Sequence, residues 1–177
     1  AFMPMWRAPF RELVFDFCAD DHGFWCECEN CRSLDPPEER EKQQYSTRWW
    51  LLLNEVASTL PSHEYPNLSL RMMAYLNFLE VPVGVKPAAD VQVTYCSMSR
   101  CYVHAINDPA CERNILRYKP RFDAWAQSGA KITNFEYHNC LPTISNYVPF
   151  ERAWVADMKY RHRLGMCGAG LVTCPPD

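Results

Sequence analysis

Short apolar runs alternate with helical stretches along this chain, and that alternation constrains the fold more than any other feature. Leu13–Cys18, Leu68–Tyr75, Val91–Cys96, Lys131–Tyr137 and Met166–Val172 read as strands. Each is rich in β-branched or apolar residues and bounded by turn formers. Between them, Ser46 to about Leu60, Glu112–Ser128 and Phe150–Leu164 carry helical spacing. Strand–helix alternation of this kind builds parallel β/α units, because a parallel neighbour needs a long crossover. A complete eight-unit barrel takes about 250 residues. The chain has 177, so the expectation is an α/β fold. It would be a partial (β/α)8 TIM-type barrel, its carboxyl-terminal half, with about five parallel strands.

The expected organisation is a lead-in over 1–12 followed by a half-barrel over 13–177. Half a barrel leaves two unpaired parallel edges. The remainder of the barrel, in the same precursor or in another chain, is therefore an expected partner. Ala1 reads as a processed or excerpted start. Residues 19–45, 97–110 and 138–149 read as loops, and Pro82, Gly84 and Pro87 exclude a regular helix over 76–90. Ser46 is placed to cap the first long helix, with Trp49, Leu53, Val56, Ala57 and Leu60 on one face. In the last helix Trp154, Val155, Met158 and Leu164 are the candidate core positions, and Pro120 must kink or divide the middle one.

A net charge of −3, with no lysine or arginine run, gives no electrostatic case for nucleic acid. No window holds the ~20 apolar residues of a membrane span. There is no Gly-x-Gly-x-x-Gly, phosphate loop, Gly-x-Ser-x-Gly or His-Glu-x-x-His.

Four of the strand-like runs lead to a cysteine: Cys18, Cys96, Cys140 and Cys174. In parallel sheets the carboxyl ends of the strands share one rim, where sites form. Just beyond the first run lie Cys26, Cys28 and Cys31, three of the chain's ten thiols. They can converge on one ion, with a fourth ligand from Cys96, Cys101, Cys111 or His104. Structural zinc is the expected ion, with Cys26, Cys28, Cys31, Cys101 and Cys111 as ligands. Disulfides across the rim, or buried inert thiols, account for the same residues.

Two acids stand near strand ends, Asp21 after the first and Glu136 in the fourth. On a common rim they can face each other, as glycoside hydrolysis requires of its acid and its base or nucleophile. Solvated loop carboxylates, or an ion pair of Glu136 with Arg100 or Lys131, explain them equally. Trp25, Tyr75, Tyr102, His104, Asn114, Tyr137 and His138 also cluster at strand ends. Trp25, Tyr75, His104, Asn114 and Tyr137 are the candidate sugar contacts, with core packing as the competing explanation.

Together these residues resemble a bacterial family known as domain of unknown function 4838, whose members look like alpha-glucuronidase and hexosaminidase barrels. Asp21 followed by Trp25-Cys26-Glu27-Cys28-Glu29-Asn30-Cys31-Arg32 is its most specific mark. Leu70–Tyr75 with Pro82, then Cys96, Arg100, Cys101, His104, Cys111 and Asn114, then Trp125 and Pro149-Phe150, follow in order. Glu136-Tyr137 stands where the family has Trp-Asp-Tyr. The resemblance spans roughly 13–172 and implies carbohydrate processing in an extracellular or periplasmic setting. One departure is Gly168-Ala169-Gly170-Leu171-Val172, which lacks the acid often found after the family's last strand. If that acid shares in catalysis, this copy is weakened or inactive. A non-catalytic carbohydrate-binding or assembly component is the alternative.

Overall fold

The structure is a computed structural model that describes residues 13–21, 24–60, 65–98, 100–137 and 150–171. The expected lead-in 1–12, the 138–149 loop with His138 and Cys140, and Cys174 lie outside the described residues. Five strands form one sheet: β1 (Leu13–Asp16), β2 (Leu68–Ala74), β3 (Val91–Cys96), β4 (Lys131–Glu136) and β5 (Gly168–Leu171). They follow sequence order and every pairing is parallel. The sheet curls as a partial barrel with helices interleaved, so the sequence-based fold class holds.

The crossovers carry α3 (Ser46–Ser58), α4 (Lys119–Gln127) and α5 (Glu151–Arg163). Two short helices, α1 (Glu29–Arg32) and α2 (Pro37–Glu41), interrupt what reads as a loop over 19–45. At four and five residues they are too short to show a period. Ser46 does not cap α3. Its hydroxyl is buried without a hydrogen-bond partner, and the cap comes from Glu39 of α2. That carboxylate accepts from the Thr47 backbone N–H at 3.0 and 3.1 Å and from the Thr47 hydroxyl at 2.6 Å. An anion there also complements the helix dipole.

Pro120 does distort its helix. A π-helical turn at Asn114–Tyr118 runs straight into α4. Proline has no N–H to give the carbonyl four residues back, and a widened turn absorbs the defect.

Strand parity divides the sheet into two faces. Leu70, Met72 and Ala74 of β2, Val91, Val93 and Tyr95 of β3, and Ile132 of β4 face the helices and join the main core. There they meet Trp50 and Leu53 of α3 and Phe122 and Trp125 of α4. The Trp50 and Trp125 rings lie 6.0 Å apart. The buried face of α3 runs through Ser46, Trp50, Leu53 and Ala57, one step round from the expected stripe; Trp49 and Val56 are half-buried. α5 departs further, since its buried residues are Ala153, Asp157 and Arg161 while Val155 is exposed.

The alternate positions face inward and are largely polar. Arg71 makes a bidentate ion pair with Asp16. Gln92 Nε2 donates to Ser69 Oγ at 3.0 Å, and the Thr94 and Thr133 hydroxyls are 2.8 Å apart. Trp50→Ala should lower unfolding free energy by about 3–5 kcal/mol, read from the shift of a urea denaturation curve at constant slope.

Candidate functional site

Parity decides which side chains reach the concave side. At the carboxyl ends of β1, β2 and β4, Ala19, Asp20, Asp21, Met73, Tyr75, Leu76, Phe78, Phe135 and Tyr137 line a cavity of about 280 Å3. A second hollow of about 500 Å3 shares Met73 and Phe135 and runs over Asp16, Cys18, Arg71, Thr94, Thr133 and Gly168–Gly170.

The chemistry of the first cavity is a carboxylate among phenols. Tyr75 lies close to Asp21, and burial with the nearby Asp21 charge raises its phenol above the ordinary value. The Tyr75 hydroxyl also lies 3.6 Å from Met98 Sδ. Burial raises Tyr137 as well, next to Cys96, whose own thiol burial pushes up to about 12. Both phenols and this thiol are therefore neutral at physiological pH. They can donate hydrogen bonds and offer aromatic faces. Phe78 is braced from behind by Trp25, with ring centroids 4.5 Å apart and edge-on.

Of the expected sugar contacts, Tyr75 and Tyr137 line this cavity with Asp21. Trp25 packs behind Phe78 and against Tyr45 and Trp49 instead. Asn114 is fully buried, and its side chain bonds only backbone. His104 is exposed beside Cys101. Asp20, Met73, Phe78 and Phe135 are cavity residues that motif reasoning did not reach. Alternation within β2 and β4 was the signal for Met73 and Phe135.

Glu136 is not brought together with Asp21. As an even-numbered position of β4 it points to the helices, and it is completely buried. Arg161 of α5 pairs with Oε1, and Arg100 approaches the same atom at 3.4 Å. Asn134 Nδ2 donates to Oε1 at 2.7 Å and Ser97 Oγ to Oε2 at 2.8 Å. Asp157 pairs with Arg100 and accepts from the Ile106 N–H at 2.7 Å. Burial alone would raise the Glu136 carboxyl, but Arg161 and Arg100 outweigh it and hold it below the ordinary value. The expected pairing of Glu136 with Arg100 is present. The expected pairing across the mouth with Asp21 is absent, because one residue of parity separates the two faces.

The cysteines form two groups rather than one. Cys26, Cys28 and Cys31 place their sulfurs within 4.8 Å of one another; so do the ligand atoms of Cys101, His104 and Cys111. Either set is compact enough to share a metal ion. The eight described cysteines are all free thiols. In the first group Cys31 is raised to about 11 by its hydrogen bonds with Cys26 and Cys28, while a backbone N–H and the neighbouring thiols lower Cys28. In the second, burial raises Cys101, but hydrogen bonds from the His104 side chain and from the His104 and Val103 backbone prevail and lower it to about 7.

The sequence profile of a family described as a domain of unknown function (DUF4838) matches residues 5–171. The chain belongs to this family. The match runs from before β1 to the end of β5, so the DUF4838 domain includes the partial barrel, the lined cavity and both thiol groups. No curated protein and no solved structure matches the chain.

Glu136→Gln should remove the charge that neutralises Arg161 and cost about 3–5 kcal/mol. An acid whose folded value is depressed stabilises the fold above its unfolded value, near 4.5. That stabilisation disappears as pH falls through the folded value. Denaturation at several pH values should therefore show a steeper loss below about pH 4.5 in the native protein than in the variant.

Proposed function

We propose that this DUF4838 chain is a glycoside hydrolase-like domain acting on oligosaccharide or polysaccharide. It forms the carboxyl-terminal half of a barrel whose remaining strands come from the same precursor or another chain. The observation that carries the reading is the cavity at the strand carboxyl ends, where a carboxylate, two neutral phenols and the Phe78 ring converge. Aromatic faces suit the apolar side of a sugar ring, and phenol hydroxyls and carboxylates suit its hydroxyls. A cavity of about 280 Å3 sits at the small end of ligand sites and suits one ring rather than a long chain. Asp21 is the proposed acid–base or nucleophilic group, with Tyr75 orienting it and Tyr137 holding substrate. With Glu136 withdrawn into the helix layer, Asp20 is the second carboxylate on the cavity wall among the described residues.

The three thiols Cys26, Cys28 and Cys31 are read as a structural zinc site. Their sulfur donors match that ion's preference, and they lie just before α1 and within it, on the segment after Trp25. The setting proposed for such a domain is extracellular or periplasmic, where polysaccharide is met.

A second reading, a carbohydrate-binding component without turnover, is favoured by the burial of Glu136 and by the carboxylate-free Gly168–Leu171 strand. Screening the purified protein against a glycan array and chromogenic uronic-acid and hexosamine glycosides separates the two. Turnover should fall about 10²–10⁴-fold in Asp21→Asn, with binding weakened in Tyr75→Phe. Binding without hydrolysis selects the second reading, and a folded protein that neither binds nor cleaves any glycan overturns both.

A further inference from the structure

We infer that Cys101, His104 and Cys111 form a metal site of their own, taking one zinc-class divalent cation through two thiolates and an imidazole, with the fourth position open to solvent. This does not rest on the carbohydrate reading. The ligands come from the loop between β3 and the π-helical turn. Their donor atoms all lie within 4.8 Å of one another, and Cys101 Sγ is 3.3 Å from His104 Nδ1. In a tetrahedral site with metal–sulfur bonds of about 2.3 Å and metal–nitrogen bonds of about 2.0–2.1 Å, such donors stand roughly 3.5–3.8 Å apart. Only small side-chain rotations separate the present positions from that geometry.

What sets this group apart is that its backbone is already tied. Asn114 is fully buried, and its side-chain oxygen accepts from the Cys101 N–H at 2.8 Å. Its amide donates to the carbonyls of Cys101, His104 and Ala105 at 3.0, 3.1 and 3.1 Å. Arg100 donates to the Cys101 and His104 carbonyls at 3.2 and 3.4 Å. The Cys111 N–H is held by the Asp108 carbonyl at 3.0 Å, and Cys111 itself is buried. Two ligand-bearing residues are thus fixed by one buried amide and the third by a turn. An ion meeting them orders little further chain. The His104 ring is exposed, which leaves the fourth position on the solvent side. By contrast Cys26 and Cys28 are exposed and lie just ahead of a four-residue helix. The ion clamps the loop that carries Arg100, and so steadies the charge cluster beneath it.

The test is titration of the reduced, metal-free protein with cobalt(II) against a competing chromogenic chelator, followed by near-ultraviolet thiolate charge-transfer intensity, which scales with the number of bound sulfurs. The native protein should take two equivalents. Cys26→Ser/Cys28→Ser should keep one, with the intensity of two thiolates. Cys101→Ser/Cys111→Ser should keep one, with the intensity of three. His104→Ala alters an exposed ring and leaves the fold intact; it should weaken the second equivalent by at least the ~10–100-fold of an outer-shell loss and spare the first. A Cys26→Ser/Cys28→Ser protein that takes up no ion overturns the inference, as does unchanged binding in His104→Ala. Thiol counting that finds Cys101 and Cys111 joined as a disulfide does the same.

Discussion

Two arginines and two acids with no solvent around them hold the second half of this structure together. Arg100, Glu136, Asp157 and Arg161 are all buried and sum to zero charge. Stripping four ions of water costs several kcal/mol each, and mutual attraction repays that only with accurate geometry and further hydrogen bonds. Ser97, Asn134 and the Ile106 N–H supply part of them, and the Tyr118 hydroxyl accepts from Arg161 at 3.1 Å, while Arg161 Nε and Nη1 make no hydrogen bond among the described residues. The cluster thereby joins β4, α5, the loop after β3 and the π-helical turn. An apolar core tolerates sliding between α5 and the sheet, whereas this arrangement has one register in which all four charges are paired.

That cluster also explains the division of labour between the faces of the sheet. The outer face spends its polar groups on holding helices, and the inner face keeps Asp16, Arg71, Gln92, Thr94 and Thr133 toward the hollow of the partial barrel. At the rim the inner face ends in Tyr75, Phe135 and Tyr137, which with Asp20, Asp21 and Phe78 make the cavity. Asn114 sits where these concerns meet. It braces the Cys101–Ala105 backbone, which lies one residue from Arg100 of the buried cluster and contains two of the three ligands of the second thiol group.

Much of the fold was legible from local pattern. The five apolar runs became five parallel strands, and Pro120 announced its distortion. α5 was misjudged because a charged residue on a helical face looks solvent-facing until its counter-charges arrive. Arg161 and Asp157 meet theirs on β4 and on the loop after β3. The cap of α3 was misjudged for the same reason, since Glu39 reaches Thr47 across a turn that no spacing rule specifies. Within the site, Tyr75, Tyr137 and Asp21 were found from their places at strand ends. Glu136 also sits at a strand end and differs from Tyr137 only in pointing the other way.

The chain's own order of residues determined that there would be parallel β/α units, that the thiols would fall near the rim, and that acids and aromatic rings would stand beside them. Periodicity and chain connectivity are local properties, so they survive without knowledge of neighbours. Tertiary structure alone decided which face each rim residue serves, that Glu136 is sealed among arginines rather than opened to a ligand, and that the thiols divide into two sets. Those outcomes depend on strand register and helix docking, which bring together groups tens of residues apart.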